Sequence, residues 1–488
     1  MKIFDSVAQM KLATIKAGQY VETFGYYTKG DAGAARYLVV ASQAADGYGD
    51  HVLANGTVAV LQVDGDINAK QFGAKGDGVT DDTLAIQAAI NAANAKGGGK
   101  ISLEAATYRA SGLVMKTGVI ICGVNFDDSK IVAPDGWSTG NVCDSFNFDT
   151  YVYANTDANT PHSCGFQDVT IDGNHANYAG VATATEGCCY RMAVYRPHML
   201  RVRITGAPGM GFHSGLRGMT RTDARWYEDQ TKLGTMSQIK VFGCLNDGWV
   251  FDGPSDHFLD LVECGVNGWP DNVGYTASRP SLIEPTRRVS NLTLNTAVEL
   301  GWWHSFGCTE GHGIVIGRPS YGSGTIRIKW NMGISESCDR GFWAREGARY
   351  QGSMLDMHNI YGASGQSQFL DDGNVLQSYL GNLEVICDPT NDNGQNKVHL
   401  KGDHTTIGHI TLDGNNSEGD GVILEGFNNK VIDADIQKLI NGSSSGVRIT
   451  AAASQWSIKA TVRDCQRIAS ATTGAGAPLM SHIVGEFG

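Results

Sequence analysis

The sequence predicts an all-β fold: a right-handed single-stranded parallel β-helix with one N-terminal capping helix and a small N-terminal β-rich module. Three observations carry this reading. Short β-prone runs alternate with Gly, Asn and Asp turns in a loose repeat, with units of roughly 20 to 33 residues. A single convincing amphipathic helix stands just before that repeat. Gly supplies 63 of the 488 residues, nearly twice the usual share of roughly 7%. A β-propeller is the main alternative, but no four-strand blade with a repeated signature is present.

Residues 1–64 form the module. Tyr20–Phe24, Ala35–Val40 and Val58–Leu61 are apolar stretches broken by Gly, as expected of short strands. The helix follows over 81–95, with Thr80 or Asp81 as its cap. Ile86, Ile90 and Ala93 share one face, and Gly97-Gly98-Gly99 stops it. Its place before a long β region predicts a lid over an open end of the core. The β-helix is expected over 65–474, with a C-terminal tail at 475–488.

Composition narrows the function. The chain is 42% hydrophobic, enough for a sizeable core and against general disorder. There is no apolar run of about 18 residues for a membrane span and no secretory apolar region near Met1. Fifty acidic against 38 basic residues give a net charge of −12, which argues against nucleic acid as partner. The eleven Cys lie mostly beside apolar runs and show no C-x-x-C pair, so they read as buried free thiols. No His or Cys spacing supports zinc. The stretch from Asp413 to Glu418 fails as a calcium loop, because Glu418 stands where the turn Gly belongs and position 12 is Leu424. No cofactor is expected.

Aligning units on Gly248, Gly313, Gly341 and Gly421 places Asn246-Asp247, Glu310-Gly311-His312, Asp339-Arg340 and Glu418-Gly419-Asp420 at the equivalent turn of four units. Rungs of a β-helix stack about 4.7–4.9 Å apart, so Glu310 and Asp339 fall within about one rung of each other and Asp247 about two rungs before. Glycosidic cleavage needs a general acid and a second carboxylate, about 5–5.5 Å apart for retention and about 6.5–9.5 Å for inversion. Both separations are available on this ladder. Asp247, Glu310 and Asp339 are therefore the expected catalytic carboxylates, and Asp339→Asn is expected to abolish cleavage. Six of the nine Trp lie between Trp249 and Trp343. By alternation Trp249 and Trp330 belong to the core, while Trp302, Trp303 and Trp343 are expected sugar platforms. His304, Arg340 and Arg345 are expected to hydrogen-bond the sugar beside them. Glu299 and Glu346 share the neighbourhood, and the excursion from Gly265 to Arg288 is expected to wall the groove.

The stretch Phe72-Gly73-Ala74-Lys75-Gly76-Asp77-Gly78-Val79-Thr80-Asp81-Asp82-Thr83 and the helix after it resemble the entry motif of the pectate-lyase-like β-helix superfamily. Gly97 to Leu103 and Thr107-Tyr108 continue the likeness, although Glu104-Ala105-Ala106 replaces that family's usual Pro-x-Gly. The preceding Gly25-to-Tyr37 segment is similar to the small domain ahead of the β-helix in bacteriophage tailspikes. Together these resemblances imply a homotrimeric tailspike, made in the host cytoplasm and carried on the virion. It would bind and depolymerise a bacterial surface polysaccharide, capsule or O-antigen. They also imply attachment through another tail protein, or a truncated chain. Gly311-His312-Gly313 and Arg327-Ile328-Lys329 resemble motifs of polygalacturonase-type hydrolases, but stand too close together, and the family's Asn-Thr-Asp and Asp-Asp motifs are missing.

Three functions stay open. The first is an endo-glycosidase using paired carboxylates. The second is a lyase, with His312 as base and Arg340 neutralising a uronate. The third is an adhesin that binds without cutting. The acid-rich ladder favours hydrolysis, and the −12 balance favours a neutral polysaccharide or a groove that locally reverses the sign.

Overall fold

The computed structural model describes residues 1–63, 65–145, 162–180, 182, 186–192, 194, 196–214, 234–251, 257–267, 290–294, 298–308, 311–317, 326–345, 348–360, 367–372, 377–387, 394–440, 444–471 and 480–486. Glu310, Glu346, Trp269 and most of the Gly265–Arg288 excursion lie outside them. The chain divides into two compact units, residues 1–208 with 218–235, and residues 209–217 with 236–488.

The first unit opens with a five-stranded sheet in the spatial order Lys2–Phe4, Tyr20–Thr23, Ala35–Val40, Val58–Leu61, His51–Val52. The expected helix is present as Thr83–Ala95, with Ile86, Ile90 and Ala93 buried. Its start differs from the expected one. Asp82 takes the N-cap position, but its carboxylate accepts from the Lys75 and Gly76 amides in the preceding turn. Asp81 Oδ1 accepts from the Thr83 amide instead. The helix packs on Ile67–Asn68, Gly99–Ser102, Leu113–Val114 and Val119–Cys122, as a lid over the first rungs does. Parallel pairing then runs from Gly99–Ser102 to Val119–Cys122, Gly165–Asp172 and His198–Thr205.

The second unit is a stack of parallel rungs. One sheet is built from short strands, including Trp249–Phe251, Ser290–Leu294, His312–Ile316, Arg340–Ala344 and Phe369–Asp371. The other is built from long strands: His257–Gly265, Val298–Phe306, Ile326–Glu336, Ala348–Ile360, Ser378–Cys387, Thr405–Asp413, Lys430–Gln437 and Ser457–Arg463. The stretch expected as a tail ends in one more rung, because Met480–Glu486 pairs in parallel with Ser457–Arg463. The fold is a parallel β-helix.

The long strands from His257–Gly265 to Lys430–Gln437 change parity at the same point, whereas Ser457–Arg463 alternates throughout. Inward side chains fall at Leu300 and then Trp303, at Leu380 and then Leu383, at Ile407 and then Ile410. Two residues between them leave the interior, so the sheet turns a corner there. Gly301, Gly381 and Gly408 occupy that corner, where a Cβ would stand 2.5–2.6 Å from a carbonyl oxygen of the preceding rung. Close backbone approach excludes any larger residue. Aromatic side chains fill the interior: Trp249 packs on Phe212 at 4.5 Å, and Phe342 stacks on Phe369 at 4.6 Å. Trp249 and Trp330 are core residues, as alternation predicts. The eleven Cys are free, and all but the half-buried Cys122 are enclosed.

Candidate functional site

The register inferred from the Gly-apolar pairs is the observed one. Trp249 pairs with Leu292, Leu292 with Ile314, and Ile314 with Phe342, which aligns Gly248, Gly313 and Gly341. Asp247 therefore shares a column with Ser290, His312 and Arg340. Its environment is closed. Asp247 is 1% exposed, and its Oδ1 accepts from the Ser290 amide at 2.7 Å and from the Ser290 hydroxyl at 3.1 Å. Asp339 stands one position earlier and is fully buried. Both carboxylates are thus enclosed rather than open to solvent.

Four of the expected residues do meet on the short sheet. The His312 and Trp343 ring centroids stand 5.0 Å apart in an edge-to-face arrangement. The guanidinium groups of Arg340 and Arg345 stand 4.8 Å and 4.7 Å from the Trp343 ring centroid. Trp343 and Arg345 are half-buried, whereas His312 and Arg340 are buried. Arg340 Nε donates to the Ser367 carbonyl at 3.0 Å.

Trp303 is a correction. It is fully buried and stacks over Gly333, so it belongs to the interior. The corner at Gly301 is the physical reason: simple alternation from Leu300 would send residue 303 outward, and the parity change sends it in. Trp302 and His304 take the outward positions, with ring centroids 5.8 Å apart.

Beyond the corner, each rung of the long sheet offers three outward side chains. Successive rungs carry Trp302, His304 and Phe306; Met332, Ile334 and Glu336; Met354, Asp356 and His358; Asn382, Glu384 and Ile386; then His409, Thr411 and Asp413. Carboxylates at the two ends of this face are held by cations. Lys240 reaches Glu263 at 2.8 Å, and Lys438 reaches Asp413 at 2.7 Å. Asp433 pairs with Lys459 and Asp435 with Arg463; the Lys459 ammonium holds the Asp433 carboxyl below its ordinary range.

The middle differs. Asp356 and Glu384 are direct cross-strand partners, and among the described residues neither meets a Lys or Arg. His358 Nδ1 approaches Asp356 Oδ1 at 2.6 Å, and His304 Nε2 stands 3.5 Å from Glu336. Stacking on adjacent rungs, about 4.7–4.9 Å apart, brings the Asp356 and Glu384 carboxyls close to the separation of a retaining pair. This half-exposed face combines two carboxylates without cations, two imidazoles and the Trp302 ring. Sequence reasoning missed Asp356, His358, Glu384 and Glu336. The available signal was Met354-x-Asp356-x-His358, a period-two run of outward residues on one strand.

Residues 67–186 match the family model for rhamnogalacturonase A/epimerase, pectate lyase-like. That stretch, which includes the capping helix and the first rungs, is similar to the family; the rest of the chain shares the parallel β-helix fold. Alginate lyase 7 of Azotobacter vinelandii is 36% identical over 151 residues, which cover 28% of this chain and 17% of that protein. The chain also superposes on solved structures at lower identity. Against the N-terminal fragment of bacteriophage Phi29 gene product 12 the TM-score is 0.58 at 14% identity, covering 86% of this chain and 71% of that one. Against the A-module of mannuronan C-5 epimerase AlgE6 of A. vinelandii it is 0.51 at 17% identity, covering 86% and 99%. At these identities the superpositions concern the fold.

Proposed function

We propose that this chain is a polysaccharide depolymerase of a phage tailspike, cutting a bacterial surface glycan by hydrolysis on the outer face of the long sheet. The observation that carries the reading is the direct pairing of Asp356 with Glu384, two carboxylates on adjacent rungs and clear of any described cation. One acts as general acid on the leaving oxygen, and the other attacks or activates water. His358, in contact with Asp356, positions that carboxyl and exchanges its proton. Trp302 offers a flat apolar surface to a sugar ring at the neighbouring subsite. The tailspike-like N-terminal segment and the likeness to a phage protein support the viral setting, in which the chain assembles as a homotrimer on the virion tail.

Lyase chemistry is the second reading. It is favoured by the matching segment of a protein named alginate lyase and by the cluster of His312, Arg340, Trp343 and Arg345. One assay separates these readings: purified protein is incubated with alginate and with capsule preparations while reducing ends and absorbance in the unsaturated-uronate band are followed. New reducing ends at flat absorbance mean hydrolysis. Rising absorbance means elimination and overturns the hydrolytic mechanism. Binding without new ends leaves an adhesin.

A further inference from the structure

On the other side of the corner, the same long strands form a second feature. A cleft of about 410 Å³ opens at their N-terminal ends, with Arg349, Gln377, Tyr379, His404, Asn428 and Lys430 in its lining. Gln351 lines it as well, five residues before Asp356 on one strand, so the cleft lies roughly 16 Å along the strands from the acid column.

Its charge is opposite to that of the chain. The protein carries −12 overall, yet among the described residues no carboxylate lines this cleft. Among the described residues Arg349 and Lys430 are in no ion pair, although most exposed Lys and Arg of the neighbouring rungs are neutralised. The Nδ1 atom of His404 is buried and without a hydrogen-bond partner among the described residues. Tyr379 leaves 44% of its surface open.

A left-handed turn opens the long strands at the cleft as it does elsewhere in the stack, where Ser163, Arg196 and Gln455 precede long strands with positive φ. Gln377, His404 and Asn428 precede three successive long strands with φ of 54°, 59° and 54°. A residue with a Cβ in this left-handed region costs about 1–2 kcal/mol, and Gly or Asn is the usual occupant.

We propose that this cleft is an anion subsite for a carboxylate-bearing sugar residue of the bound glycan. Arg349 and Lys430, on strands three rungs apart, face acidic groups of the glycan, and the Tyr379 ring packs on the apolar sugar face. The inference rests on the reading of the chain as glycan-binding and adds that the glycan is acidic. It also resolves the awkwardness of a chain with net charge −12 acting on a negatively charged polymer, because the sign reverses where the polymer is held.

Calorimetry with trigalacturonate and with maltotriose, at low salt on the full chain, tests this. The acidic probe is expected to bind at least 10-fold more tightly than the neutral one. Arg349→Gln/Lys430→Gln is expected to lose at least 10-fold of that affinity, and Tyr379→Ala to weaken both probes. Asp356→Asn is expected to bind as the wild type does, which separates this subsite from the catalytic assignment. Unchanged affinity in Arg349→Gln/Lys430→Gln, equal affinity for the two probes, or no binding of the acidic one would each overturn the proposal. Both basic residues stand on the outer face, and an unchanged circular dichroism spectrum confirms that the variant is folded.

Discussion

The Trp303 indole lies directly over Gly333 of the next rung, so close that a Cβ on Gly333 would stand 2.3 Å from Trp303 Cζ2. Trp330 bears the same relation to Gly352 one rung further on, at 2.2 Å. A large ring on one rung thus requires an empty position on its neighbour. Because both backbones are held in the ladder, neither can retreat. Gly333→Ala is expected to destabilise the chain by about 1–3 kcal/mol, the usual cost of overpacking. A shift of the urea midpoint at unchanged m-value measures it; wild-type stability would mean that the indole can turn away.

The acid column makes a sharper demand on activity. Asp356→Asn and Glu384→Gln should each lower turnover by at least ~100-fold, the scale of losing a general acid or base. The urea midpoint should hardly move, since both side chains are half-exposed. Full turnover in either variant removes that residue from the catalytic pair.

Asp247 and Asp339 should behave the other way. Asp247→Ala leaves the Ser290 amide and hydroxyl without their acceptor in a closed site, which costs about 1–3 kcal/mol. Asp339→Asn, whose effect the sequence alone would place on cleavage, should likewise appear in the melting curve. Turnover per folded molecule should persist in both. A stable but inactive Asp339→Asn protein would restore the turn ladder as the catalytic centre.

Acidification should weaken the N-terminal sheet. His51 is 2% exposed, and burial pushes its pKa down to about 4 from 6.5. Between those values the unfolded chain binds a proton that the folded module does not, so stability falls as pH drops through 6.5 toward 4. The loss approaches ~3 kcal/mol at the acid end of the window. Urea titrations from pH 7 to pH 4 should show this slope, and His51→Phe should flatten part of it. An identical slope in the variant would assign the effect to other groups.

Thiol accessibility offers an inexpensive check on the packing. Burial raises the pKa of Cys164 to about 12 and that of Cys338 to about 11, which suppresses the reactive thiolate. A thiol reagent should therefore modify native protein slowly, Cys122 first, and all eleven Cys only after denaturation. Rapid native labelling at several sites would contradict the closed interior.

Much of this protein follows from local sequence. The helix face of Ile86, Ile90 and Ala93, the interior places of Trp249 and Trp330, and the alignment of Gly248, Gly313 and Gly341 all depend on spacing within one or two turns of chain. Such spacing survives into the fold because period and turn chemistry are local properties. The corner at Gly301 is different. It shifts parity by one residue and exchanges the fates of Trp302 and Trp303, for a reason seated in the carbonyl of the rung below. Likewise Asp356 pairs with Glu384, and Arg349 and Lys430 come to line one cleft, across loops of unequal length that no fixed repeat predicts. The sequence by itself determined a stack of β rungs and most of what fills it. Which carboxylates face out together, and where the charge reverses, was decided only when the rungs stacked, because neighbours in that direction are set by backbone pairing between coils.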